Sequence, residues 1–174
     1  MIETPPRTIM EVFKSLPEGT LAEVINNQIY MSPSPVYNHQ DVLIEIASQL
    51  RGHLKKWDGK VTITPFDVYL DESSNAVQPD IVIILKDNPG QLQNRGHFHG
   101  VPDILVEILS PRNRDHDLIL KKDLYERFGV KEYWIVDPGN KATIIYELKN
   151  KVFSLTSEDV GLIKSSLLNI SIVF

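Results

Sequence analysis

Cysteine is absent from the 174 residues, which excludes disulfides, thiolate zinc centres and cysteine nucleophiles. No apolar run approaches the roughly 18 residues needed to span a bilayer; the longest bare stretch is Ile81-Val82-Ile83-Ile84-Leu85. The N-terminus carries Glu3, Pro5 and Pro6 where a signal peptide would place an apolar core. Repeats, low-complexity tracts and long blocks of like charge are also missing. Nor is there a basic excess: 18 Lys and Arg face 23 Asp and Glu, for a net charge of −5. That balance argues against a protein that coats DNA but leaves room for a local basic cleft. These absences point to a soluble protein, expected in the cytoplasm. With 42% hydrophobic and 24% charged residues, the chain can bury a sizeable core, and its length predicts one domain over 1–174.

The pattern along the chain alternates between helical and extended periods. Thr8 to Leu16 has apolar residues at helical spacing. Ala22–Ile25 and Gln28–Met31 flank Asn26-Asn27, a hairpin signal because Asn tolerates positive φ. Ser34 and Pro35 have the form of an N-cap and first helical residue. The helix that follows, over about 36–56, carries its stripe at 43, 46, 47, 50 and 54, and the stripe extends back to His39. Strands are expected at Val61–Thr64, Phe66–Leu70, Val77–Leu85 and Ile104–Leu109, with residues 86–102 as a long loop. A second helix is predicted from Asp115 to Phe128, stopped by Gly129. A strand at Tyr133–Val136, a hairpin over 142–155 and a weak strand over Leu168–Phe174 complete a mixed-sheet α/β domain.

Chemistry shows where charge interrupts this core pattern. Asp80 opens the apolar strand after Gln78-Pro79, and Glu107 sits inside Ile104-Leu105-Val106-Glu107-Ile108-Leu109. A lone carboxylate there costs several kcal/mol unless it is paired or metal-bound. A buried salt bridge is one solution. At about 100° per residue, Asp117, Lys121, Leu124, Tyr125 and Phe128 share one helix face, while Lys122 turns toward solvent. Asp117 and Lys121 could satisfy each other as an i,i+4 pair. Alternatively, two strand carboxylates and an inward lysine suit a hydrolytic magnesium site. Asp103 lies about 13 Å from Glu107 along one strand, too far to share a metal, and reads as a strand-start residue. Asp137 is explained by the turn at Pro138-Gly139. His97 and His99 lack a third ligand.

Taken together, Glu23 in AEVINNQIYMSP, His39, VQPDIVII with Asp80, PDILVEILSP with Glu107, and Asp117, Lys121 and Tyr125 in DLILKKDLYERFGVKEYWIVDP carry a resemblance. The chain resembles the Uma family of restriction-endonuclease-like proteins, within the PD…(D/E)xK nuclease superfamily, over about residues 9–148. That resemblance implies a restriction-endonuclease-like mixed β-sheet flanked by helices, preceded by an N-terminal helix and β-hairpin. It implies metal ligands at Asp80, Glu107 and the Ile108 carbonyl, and a Mg2+- or Mn2+-dependent endonuclease acting on DNA. The superfamily lysine expected two residues after the Glu is Leu109 here; the match moves it to Lys121. Glu23, His39 and Gln78 fit the same pattern, although a hairpin Glu can be solvated, a stripe His can be core, and Gln78 can be an ordinary polar residue before a strand. A non-cleaving nucleic-acid-binding or regulatory module with the same fold is the alternative. Arg51, Lys55, Lys56, Arg112, Arg114, Arg127 and Lys131 are interspersed with acids, so DNA binding is expected to be weak and salt-sensitive unless a partner helps. A homodimer is expected, with the apolar run Leu167 to Phe174 covering a sheet edge or forming the contact.

Overall fold

The computed structural model describes residues 5–93, 96–110 and 116–174; Asp115, Arg112 and Arg114 lie outside them. Helix α1 (Ile9–Lys14) opens on a capping box, in which the Glu11 amide donates to the Thr8 hydroxyl and the Thr8 amide to the Glu11 carboxylate. Strands β1 (Ala22–Ile25) and β2 (Gln28–Met31) form the expected hairpin. Asn26 and Asn27 turn it at φ 50° and 62°. Helix α2 (Tyr37–Leu54) starts later than the Ser34-Pro35 signal implies. Val36 is its N-cap and makes no side-chain bond, and Ser32 to Val36 instead wall a cavity described below. Tertiary packing has overridden the local capping signal.

After a short 3₁₀ turn (Lys55–Trp57) come β3 (Lys60–Ile63), β4 (Asp67–Tyr69), β5 (Ala76–Val77) and β6 (Ile81–Ile84). The single strand expected over Val77–Leu85 is therefore two strands in two different sheets. Pro79 lies in the break; it has no N–H for the ladder. The segment expected as loop carries β7 (Gln91–Leu92) and β8 (His97–His99), the latter parallel to β4. Then follow β9 (Ile104–Ile108), a π-helical turn (His116–Lys121) and α3 (Lys122–Phe128), which stops at Gly129 with φ 87°. The rest is β10 (Glu132–Val136), β11 (Ala142–Lys149), β12 (Val152–Val160), β13 (Leu162–Ser165) and β14 (Ile170–Val173). The hairpin β11–β12 is longer than its sequence signal, and β13 was not foreseen.

Among the described residues the strand orders are β2-β1-β5-β4-β8-β7 and β12-β11-β10-β9-β6-β3, with β13–β14 separate. Mixed α/β architecture is thus as expected. Period-2 alternation divides the second sheet's side chains between two cores. Ile81, Ile83, Val106 and Trp134 pack with Leu43, Ile46 and Leu50 of α2. Val82, Leu105 and Tyr133 pack on the other side with Val68 of the first sheet and Leu124 and Tyr125 of α3. Helix α1 covers the outer face of the first sheet through Met10 and Phe13. Leu168, Ile172 and Phe174 of the C-terminal run are buried in the core beside α2, while Leu167 and Val173 stay exposed. Alternate residues of the run thus turn into the chain's own core, at Leu168, Ile172 and Phe174. No helix among the described residues is long and apolar enough to cross a membrane.

Two buried carboxylates hold this frame. Asp103 accepts from the Leu85 amide at 2.7 Å and the Asn88 side-chain amide at 2.8 Å, and pairs with Lys131 at 2.7 Å. Glu132, unmarked in the sequence reading, accepts from Trp134 Nε1, Ser165 Oγ and the Leu167 amide, tying β10 to the C-terminal hairpin. Asp103→Ala strands two donors and is expected to lower unfolding free energy by about 2–4 kcal/mol in urea titrations. Lys131→Met, at a side chain 57% exposed, should cost less than about 1 kcal/mol. Equal losses would show that the ion pair, and not the buried hydrogen bonds, carries the effect.

Candidate active site

Strand register brings the two expected carboxylates together. Ile81 of β6 lies opposite Val106 of β9 in an antiparallel ladder, so one step outward sets Asp80 across from Glu107. Both share the strand face of Val82 and Leu105. Asp80 Oδ2 accepts from the Ile108 amide at 2.7 Å and lies 3.0 Å from His39 Nε2. His39 sits on the buried side of α2, where the apolar stripe placed it, with its side chain 7% exposed. Glu107 Oε1 accepts from Lys121 Nζ at 2.9 Å and from the Tyr125 hydroxyl at 2.8 Å.

Lys121 also joins the two sheets. Its Nζ is 2.9 Å from Glu23 Oε1 and 3.6 Å from Asp117 Oδ1. Glu23 points inward from β1, on the face opposite Ala22 and Val24, and is buried. It further accepts from the Gln78 amide at 2.8 Å, and His116 Nε2 stands 3.5 Å from its Oε2. The i,i+4 partner Asp117 is thus the most distant of three carboxylates around the amine. Gln78 braces Glu23 through its backbone, while its side chain donates to Thr20 O and Asp67 Oδ1 and makes no bond to Asp80. Lys122, expected in solvent, is half-buried with its amine 4.9 Å over the Tyr146 ring. His97 and His99 lie elsewhere, against Tyr69. The sequence does not single out His116; it opens the π-wound segment, and its contact with Glu23 joins parts of the chain far apart in sequence.

The electrostatics follow from this crowding. Burial alone would raise the Glu23 carboxyl, but the Lys121 charge and donors from His116, Lys121 and Gln78 hold it at about 2. Burial pushes Glu107 well above the usual carboxylate range, and the charges of Asp117, Asp80 and Glu23 add to this, with Lys121 opposing. Asp117 is raised by burial to about 6, against the pull of Lys121. Lys121 rises well above an ordinary lysine, because the charges of Glu107, Glu23 and Asp117 outweigh its desolvation. The His39 ring is raised despite burial by its bond to Asp80 and that carboxylate's charge. Tyr125 is raised chiefly by burial and by Glu107. Four carboxyl groups, on Asp80, Glu107, Glu23 and Asp117, thus share the site with one lysine and the His39 ring.

All of these except Tyr125 line a cavity of about 640 Å³, walled on one side by Ser32 to Val36. Among the described residues no three His, Asp or Glu side chains are grouped as a metal-holding cluster. A cation would instead draw on Asp80, Glu107, the Ile108 carbonyl and water. Asp80 Oδ1 and Glu107 Oε2 have no hydrogen-bond donor among the described residues, while their sister oxygens are held. Few, hard oxygen donors fit magnesium, which keeps several waters, and a bound cation would favour the ionised form of Glu107.

A family model described as "Uma2: Putative restriction endonuclease" matches residues 10–170. No curated protein matches the chain. Among solved structures, the chain is similar to the crystal structure of "a putative nuclease belonging to DUF820 from Anabaena variabilis ATCC 29413". The TM-score is 0.74 at 19% identity, over 94% of this chain and 92% of that one. At that identity the likeness is one of fold.

The charge balance at Lys121 sets a stability test. Lys121→Met leaves Glu107 and Glu23 buried without their cation and is expected to cost about 3–5 kcal/mol in urea titrations at neutral pH. Adding Glu23→Gln should recover part of that loss. Asp117→Asn removes the most distant carboxylate and should change stability by less than about 1 kcal/mol. Equal losses for Lys121→Met and Asp117→Asn would reduce the arrangement to a simple helical pair.

Proposed function

The chain belongs to the Uma2 family, and on that premise we propose that it is a metal-dependent endonuclease hydrolysing phosphodiester bonds of DNA. One observation carries the reading. Two carboxylates face each other across neighbouring strands and line one cavity, each with one oxygen held and the other without a donor among the described residues, beside a lysine 2.9 Å from Glu107. Asp80, Glu107 and the Ile108 carbonyl would hold magnesium or manganese, which when bound activates water as a Lewis acid and offsets charge on the scissile phosphate.

The chain's own groups prepare that chemistry. His39 and the Ile108 amide orient Asp80; Lys121 and Tyr125 orient Glu107. Lys121 keeps its proton and offers fixed positive charge to a pentavalent phosphorus centre as negative charge builds on its oxygens. Glu23 and Asp117 hold that amine in place. Leu109, where the superfamily would carry lysine, is buried in the apolar core, which supports the transfer of the role to Lys121. Cutting both strands of a duplex from single-cut sites calls for two copies related by a two-fold axis, so we include a homodimer, acting in the cytoplasm, in the proposal.

Magnesium or manganese at millimolar concentration should raise the melting temperature of the wild type and not of Asp80→Asn. No shift, or an equal shift in the variant, sinks the metal assignment. Lys121→Ala is expected to lose about 10²–10³ in cleavage rate while retaining its calorimetric magnesium titration. Lys122→Ala should change cleavage only a few fold. Tight DNA binding with no cleavage at any metal concentration would favour the non-cleaving module. Light scattering at high micromolar concentration tests the dimer, and a monomer there counts against it.

A further inference from the structure

The basic residues are not as evenly mixed with acids in space as they are along the chain. Arg51 and Lys55 are four apart at the end of α2, and Lys55 and Lys56 continue into the 3₁₀ turn. Lys60 opens β3 opposite Ile84 of β6, and Lys86, two residues beyond, reaches Asp58 at 3.4 Å. All five cations are exposed, and the acids among them are Asp58 and Asp87. A helix C-terminus favours cations through its dipole, which accounts for Arg51, Lys55 and Lys56. It does not account for Lys60, Lys86 or Trp57.

Trp57 is 64% exposed in the turn between Lys56 and Lys60. Beside it opens a cleft of about 370 Å³, between the end of α2 and the turn of the β13–β14 hairpin, edged by His53, Asn169 and Ser171. That volume falls within the range of small-ligand sites. The other tryptophan, Trp134, is fully buried and hydrogen-bonded to Glu132.

We infer that this corner is a second nucleic-acid site, in which Trp57 stacks on an unpaired nucleobase of single-stranded DNA while Lys55, Lys56 and Lys60 hold its phosphates. Cations beside an exposed aromatic ring and a cleft form the combination that binds single strands, by base stacking together with backbone attraction. A fully paired duplex would offer Trp57 no free base face, which commits the site to an unpaired strand. From Asp80 to Lys86 the chain runs about 20 Å at strand spacing, so several nucleotides would separate a stacked base from the catalytic carboxylates. The site rests on the nuclease reading for its biological sense, but its binding chemistry is independent of Asp80 and Glu107.

The test uses the wild-type chain in EDTA at low salt, with tryptophan fluorescence as readout. Oligothymidylate should quench the exposed Trp57, and an abasic strand of equal length should not. Trp57→Leu should lose the quench and bind oligothymidylate about tenfold more weakly, its remaining Trp134 emission reporting an intact fold. Lys55→Glu with Lys56→Glu should flatten the salt dependence of binding by a slope of roughly 1.4. Equal quenching by abasic strand or heparin, or unchanged affinity in Trp57→Leu, overturns the site. Cleavage of DNA by the wild type in a parallel magnesium assay, with no quench in EDTA, retires the site and leaves the nuclease reading; quench in EDTA with no cleavage in magnesium does the reverse.

Discussion

A buried lysine between opposing carboxylates is the constraint on which the arrangement depends. Lys121 is 2.9 Å from Glu107 on one sheet and 2.9 Å from Glu23 on the other. Withdrawing three charges from water is costly, and that cost is offset only when each finds its partners together. The same contact therefore fastens the two sheets, fixes the π-wound segment ahead of α3, and holds Oε1 of Glu107. The proposed chemistry uses the carboxyls left over, since three surround that single lysine and Asp80 stands across from Glu107 as a fourth.

The other decisive feature is the break at Gln78-Pro79-Asp80. A strand running unbroken from Val77 to Leu85 would keep all of its side chains within one sheet. The interruption instead lets β5 and β6 join different sheets. Gln78 then braces Glu23 from one side of the break, and Asp80 meets Glu107 on the other. A single proline-containing step thus supplies a neighbour to each sheet's carboxylate.

Electrostatic division of labour extends over the surface. The net charge of −5 gives the chain no general attraction for polyanions, and the cavity itself is acidic. Positive charge is gathered instead at the far end of α2, β3 and β6, around an exposed tryptophan. Attraction for a strand away from the carboxylates would leave the proposed chemistry beside them to the groups already there.

Much was legible from sequence because it depends on local periodicity. The hairpin at Asn26-Asn27, the stripe of α2 with His39 on it, the apolar cores of β6 and β9, and the inward side of Asp117, Lys121 and Tyr125 follow from spacings of 2 and about 3.6. Asp80, Glu107 and Lys121 stood out because charge interrupted those patterns. Contacts between segments distant in the chain were not legible. Glu23 as partner of Lys121, His116 beside it, the burial of Glu132, the side-chain partners of Gln78 and the late start of α2 all depend on which surfaces meet. For its clearly periodic strands and helices, sequence by itself determined which face turns inward, since that follows from backbone geometry. Only the tertiary structure decided which of them meet, because a buried charge selects its partner by proximity in space, which local periodicity does not encode.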